Sequence, residues 1–188
     1  MKRLFLMAGL AAAFLLLVVA ASAQKANFAG TWNLDKSKSQ GLSPRMQGAD
    51  SVTWTVTQDD KTISVDQKVT GGQPPAGGGG GAGGGGGMGG GRGPAPGPQS
   101  YNLDGKEATS DINFGQATGK LTTKATVSGG TVELMRKTSF TGQDGSERVS
   151  TNTQKLSLSG DGKTLTVVAH SEGGRGGPTD STMVFNKQ

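Results

Sequence analysis

Apolar and polar side chains alternate with a period of two residues through most of the chain after position 24. In the clearest stretch, Val52, Trp54 and Val56 share one face of a segment, and Thr53 and Thr55 share the other. This rhythm is typical of β-strands that bury one face and expose the other. A chain with this pattern has to pair its strands into a sheet, so the alternation excludes long amphipathic helices over these stretches.

The alternation divides the chain into about eight to ten short segments, and turn dipeptides such as Asp104-Gly105, Gly129-Gly130, Asp144-Gly145 and Asp161-Gly162 separate several of them. Asp-Gly readily adopts the positive φ angles of tight hairpin turns. We therefore predict an all-β fold in which an antiparallel up-and-down meander closes into a barrel, with a β-sandwich as the alternative. The expected strands are 28–34, 52–57, 63–69, 100–103, 106–114, 120–127, 131–140, 148–159, 163–170 and 181–187.

Two local departures from regular strands are also expected. Ser43 followed by Pro44 has the residues of a helix N-cap and first helical position, which predicts one short helical turn there. In segment 148–159 the apolar positions change from odd to even numbers. This change predicts a β-bulge near Gln154 or Lys155.

The N-terminus has the features of a secretory signal. Lys2 and Arg3 precede an apolar run over residues 4–20, and Ala21-Ser22-Ala23 provides a small-x-small cleavage site. We expect cleavage after Ala23 and residence in the periplasm or outside the cell, with membrane contact only through the signal peptide before cleavage. Residues 24–188 then form a single domain of 165 residues.

A Gly/Pro-rich segment at 71–98 interrupts the strand pattern, and residues 71–97 contain 17 of the 34 glycines. Such a composition buries too little apolar surface to offset the entropy of ordering, so a disordered insertion is expected. Three strands before it are too few for a separate domain, so both sides should belong to one sheet. The insertion is a possible contact region for a protein partner.

Three short motifs resemble those of secreted bacterial lipocalin-like proteins, which have calycin-type barrels. They are the Gly-x-Trp motif within residues 28–35, the segment 102–107 and the segment 158–165. The resemblance implies that Trp32, preceded by Gly30, plugs the closed end of a barrel. It also implies that a basic side chain of the last strand, here Lys187, lies over the indole ring. A two-helix lid like that of fatty-acid-binding proteins does not fit between Lys36 and Ala49.

The residue inventory argues against catalysis. The chain has no cysteine and one histidine, His170, so zinc sites and histidine-dependent triads lack parts. Gly162-Lys163-Thr164 lacks the preceding glycine of a P-loop, and no Gly-x-Ser-x-Gly motif is present. The net charge of +5 falls to +3 without Lys2 and Arg3, which is too low for a dedicated nucleic-acid protein. We expect a non-enzymatic protein without cofactor or metal that does not bind nucleic acid.

Arg136 stands out because it shares its parity with Val132, Leu134 and Phe140. In a barrel this position would direct a guanidinium inward, where it could pair with a ligand carboxylate; alternatively, Arg136 lies at a rim with its head in water. Trp54 and its neighbours similarly suit either a cavity wall or a packed core. The candidate ligand-binding residues are Val52, Trp54, Ile63, Val65, Leu121, Leu134, Arg136 and Phe140.

Two functions are consistent with this pattern. The first is a secreted binding or carrier module whose barrel holds a small apolar or amphipathic ligand. The alternative is a structural or interaction protein of the cell envelope that uses the Gly-rich segment.

Overall fold

A computed structural model describes residues 26–71, 97–114, 117–141, 145–173 and 177–188. The predicted signal peptide at 1–23 lies outside these residues. So does the predicted insertion at 71–98, apart from Gly71, Gly97 and Pro98.

The described part of the chain folds into ten β-strands joined in one sheet. Each predicted strand corresponds to one of them, with ends that differ by a few residues. The strands are β1 (Gly30–Leu34), β2 (Ser51–Gln58), β3 (Thr62–Thr70), β4 (Gln99–Asn102), β5 (Ala108–Phe114), β6 (Ala117–Ser128), β7 (Thr131–Thr141), β8 (Glu147–Leu158), β9 (Thr164–Glu172) and β10 (Thr179–Lys187).

The sheet is an antiparallel meander that curls into a nearly closed barrel. Strands follow one another in the order β4-β3-β2-β1-β10-β9-β8-β7-β6-β5, and every neighbouring pair is antiparallel. The first and last strands pair with each other, with Trp32 opposite Lys187. β4 and β5 are the two end strands of the sheet, and the gap between them is called the seam below. The predicted all-β barrel is confirmed.

The barrel interior holds one apolar cluster. Trp54 packs against Phe185 with ring centroids 4.8 Å apart, and its indole nitrogen donates to the Gln67 side chain at 2.9 Å. Phe28, although it precedes β1, is fully buried in the same cluster. Burial of this apolar surface is the main force that closes the meander.

The connection from β1 to β2 carries two short helical pieces. A 3-10 turn covers Lys36–Lys38 and α1 covers Pro44–Gly48. Ser43 caps α1 as predicted, because its side chain accepts from the backbone N–H of Met46. Lys36 fixes the end of α1 by donating to the backbone carbonyls of Gln47 and Ala49.

The predicted bulge near Gln154 or Lys155 is wrong. β8 pairs without a break with β7 from Glu147 to Ser157 and with β9 from Thr151 to Leu158. The even-numbered residues therefore face inward along the whole strand, and Val149 points outward with 37% of its surface exposed. The inward, even-numbered side chains of β8 are apolar at Leu156 and Leu158 and polar at Asn152 and Gln154. The apolar residues therefore change from odd to even positions because the interior changes from polar to apolar along the strand.

Candidate ligand-binding site

Four polar side chains form a row across the inner wall of the barrel. Arg136 on β7 lies directly opposite Thr123 on β6 and Asn152 on β8, and Asn152 lies opposite Ser171 on β9. Residues directly opposite each other in an antiparallel sheet point to the same face. These four residues, called the polar row below, thus face the same interior space.

The guanidinium of Arg136 is held in this row with its Nε atom buried. Among the described residues, no atom accepts a hydrogen bond from this Nε. The side chain as a whole is half-buried. A buried N–H group without a partner costs about 1–3 kcal/mol, and more when the group is charged, so this arrangement is unfavourable without an anion.

Other polar groups surround the guanidinium. Asn152 donates to the Ser171 hydroxyl at 2.7 Å, which fixes the amide beside Arg136. Gln154 lies two residues after Asn152 on β8, in the next inward row towards the Trp32 end. It is 8% exposed and lies directly opposite Leu134. Thr123 is similarly buried. The polar row therefore provides neutral amide and hydroxyl groups next to one positive charge.

Tyr101 on β4 is a further buried side chain with a polar group, and it lies opposite Ile63 on β3. It is 5% exposed, and burial raises the pKa of its phenol, while the positive charge of Arg136 acts in the opposite direction. A neutral phenol can donate a hydrogen bond to the same anion as a guanidinium.

The interior changes from apolar to polar along the barrel axis. The register defines successive inward rows across the strands from β6 to β10. Beginning near the end plugged by Trp32, the rows are Leu158, Leu165 and Phe185; then Val127, Val132, Leu156, Val167 and Met183; then Ala125, Leu134, Gln154, Ala169 and Ser181; then the polar row.

The candidate residues from the sequence fall into two groups. The first group lies in the apolar cluster, with 0–8% exposure, and comprises Val52, Trp54, Ile63, Val65 and Leu134. The second group is half-buried around the polar end and comprises Leu121, Arg136 and Phe140. The first group packs together as a core, whereas in the second group Leu121 lies at the seam and Arg136 belongs to the polar row.

At the opposite end the barrel is plugged by Trp32. Its ring is fully buried, its indole nitrogen donates to the Phe28 carbonyl at 2.9 Å, and the Lys187 Nζ lies 5.2 Å from the ring centroid. A Cβ at Gly30 would approach the Lys187 side chain to 3.0 Å, so a glycine there leaves room for the cation over the ring.

A cleft of about 180 Å³ lies in the seam. Its wall comes from both end strands and from β6, and none of the described residues that line it is charged. Thr123 belongs both to this wall and to the polar row. The lining includes Gln99, Ser100, Ala108, Ser110, Leu121 and Thr123.

Sequence reasoning identified Arg136 but missed its polar neighbours. Asn152 and Gln154 on β8 were not named because the predicted bulge interrupted the inward face of that strand, and Ser171 was not named because the predicted strand ended at residue 170. The signal that could have found them is the even parity of Leu156 and Leu158, continued backwards along β8 without interruption.

On the outer wall, His170 is held between two carboxylates. Its Nδ1 lies 2.6 Å from Asp180 and its Nε2 lies 3.0 Å from Glu172. Hydrogen bonds to Asp180 and then Glu172 raise the pKa of His170. Within the described ranges, no group of three or more histidine and acidic side chains could hold a metal ion.

The fold and the site define an antiparallel barrel with a cationic group on its inner wall. No known family model, no curated protein and no solved structure matches this chain. Of the helices in the described residues, none is sufficiently long and apolar to cross a membrane.

Proposed function

We propose that this protein is an exported, calycin-type barrel that binds a small amphipathic ligand through an acidic headgroup and performs no catalysis. The observation that carries the proposal is the buried, unpartnered Nε of Arg136 on the inner wall, within the described residues. An apolar side chain at position 136 would be buried next to Leu134 at a lower cost in folding free energy than a guanidinium. The cost of the guanidinium is explained if an anion pairs with it in the bound state.

The polar row supplies the remaining contacts for such a headgroup. Guanidinium groups bind carboxylates through two parallel hydrogen bonds, and Asn152 and Thr123 lie on either side of Arg136 with further polar groups. Tyr101 completes the space from β4. A carboxylate held by these groups would give the buried Nε–H of Arg136 the acceptor that it lacks among the described residues.

Affinity for an acid and its matching alcohol tests this role. We expect the purified protein to bind decanoate about ten- to a hundredfold more tightly than decanol in calorimetric titration, because one charge-assisted hydrogen bond contributes about 1.5–3 kcal/mol. Arg136→Met should lose this preference. Lys137→Met removes the same charge from the outer face of β7 and should keep it.

Three results would each end the proposal. They are a lack of saturable decanoate binding, equal affinity for decanoate and decanol, or an equal loss of preference in Lys137→Met and Arg136→Met.

The proposal also includes export with the signal peptide removed. Intact-mass measurement of protein recovered from the cell envelope or medium should give a chain that begins at Gln24. A secreted carrier is inconsistent with a mass that still includes Met1, or with protein found only in the cytoplasm.

A further inference from the structure

We infer that the seam cleft is where the ligand binds and enters, and that the ligand is an aliphatic monocarboxylate whose acid group points inward to Arg136 while its chain lies between β4 and β5. This inference rests on the proposed function. It goes further by assigning the route, the orientation and the chemical class of the ligand.

The seam is the place where the barrel wall is not joined. β4 and β5 are the end strands of the sheet, and the cleft lies between them. Ser100 on β4 and Ala108 on β5 belong to its two sides. A ligand can pass here without breaking any strand pairing.

The wall of the cleft includes a direct neighbour of Arg136. Thr123 lines the cleft and is the direct cross-strand neighbour of Arg136, and such neighbours have Cβ atoms about 5 Å apart. Tyr101, whose phenol senses the charge of Arg136, follows Ser100 in β4. An acid group at the inner end of the cleft is therefore within reach of both side chains.

The residues that line the seam cleft favour a ligand with an acid group followed by a short apolar segment. In the part of the chain that the structure describes, no carboxylate lines the cleft to repel an anion, while Leu121, Ala108 and Pro98 offer apolar contacts to methylene groups. The volume of about 180 Å³ is below the range of about 300–1,000 Å³ typical of pockets that enclose a drug-sized ligand. The cleft therefore holds the headgroup and the first carbons of the chain, and a longer chain extends outward.

The opposite end does not offer this route. Trp32 closes it, and the apolar rows between Trp32 and the polar row consist of buried side chains together with the partly buried Val127 and Leu158. Because that half is occupied by the protein's own core, the acid group rather than the chain is expected to point inward.

The natural lack of cysteine allows a direct test. Ser110 lines the cleft and pairs with Leu121, so Ser110→Cys places one thiol in the seam. Asn113 lies on the opposite face of β5 and is exposed, so Asn113→Cys is the matched control. Both substitutions are small and add no volume to the core, and circular dichroism can verify the fold of each variant.

The rate of alkylation by a maleimide reports access to each thiol. With decanoate at ten times its dissociation constant, we expect alkylation of Ser110→Cys to slow about tenfold, since about one molecule in eleven remains free. Asn113→Cys should be unaffected. Adding Arg136→Met to Ser110→Cys should remove the protection at the same decanoate concentration.

The outcomes separate the two proposals. If decanoate binds and requires Arg136 but does not protect Ser110→Cys, the seam is not the binding site, although the proposed function stands. Protection that persists with Arg136→Met would overturn the inward orientation of the acid. If decanoate does not bind at all, both proposals fail.

Discussion

Arg136 is a residue at which stability and binding are expected to conflict. Its stem follows the inner wall between Thr123 and Asn152, and its buried Nε has no acceptor among the described residues. Arg136→Met keeps most of the stem and removes the charge. We expect the free energy of unfolding to be unchanged or to rise by about 1 kcal/mol, because replacing a poorly paired inner charge by an apolar group is often stabilising.

Urea unfolding measures this effect, with Lys137→Met as the outer-face control. A fall of more than about 1 kcal/mol in Arg136→Met alone would show that the guanidinium holds the empty barrel together, which contradicts a role reserved for ligand.

His170 gives the barrel a defined pH response. Its partners Asp180 and Glu172 raise the pKa of His170 above the usual 6.5. A raised folded-state pKa means that the stabilisation is complete below pH 6.5 and is lost as the pH rises through the folded-state pKa. As the only histidine, His170 gives a single imidazole signal in an NMR titration.

We expect that titration to show a midpoint above 6.5, and Asp180→Asn to lower it, because the largest cause of the shift is the bond to Asp180. A midpoint at or below 6.5 in the native protein would mean that the two carboxylates do not hold the ring in solution.

At the scale of elements, the connection between β1 and β2 depends on one glycine. Gly41 has φ of +65°, and a Cβ there would lie 2.3 Å from the Asp180 carbonyl oxygen of β10. Gly41→Ala should therefore lower the free energy of unfolding by about 1–3 kcal/mol. Gly48 in α1 has open space around its missing Cβ, so Gly48→Ala should raise it by up to about 1 kcal/mol.

Thermal or urea unfolding of the two variants checks this pair. Equal effects of the two substitutions would show that the connection does not pack against β10 as described.

β8 illustrates which properties of a single strand can be predicted from its sequence and which cannot. Its existence and approximate length follow from alternation, but the change of apolar parity from odd to even numbers led to the prediction of a bulge that the strand does not have. Hydrophobicity identifies the inward face only where the interior is apolar. Asn152 and Gln154 face inward despite their polarity, so a pattern based on apolar residues cannot place them.

At the scale of the whole molecule, period-two alternation and turn dipeptides predicted the number of strands and the antiparallel meander. The pairing of β1 with β10 and the position of the seam depend on long-range contacts, which local patterns do not encode. Arg136 was recognisable because a charge interrupts an apolar face. Thr123 was not, because its position opposite Arg136 depends on the exact register of the β6–β7 hairpin, which the alternation alone does not fix.

The central claim is that the inner guanidinium of Arg136 is the anion-binding group of this barrel. The most direct measurement is the NMR signal of its Nε–H, assigned by its disappearance in Arg136→Met, during titration with decanoate. We expect a saturable downfield shift of this one signal as the buried N–H gains a charged acceptor. Saturable decanoate binding that leaves the signal unmoved would contradict the account.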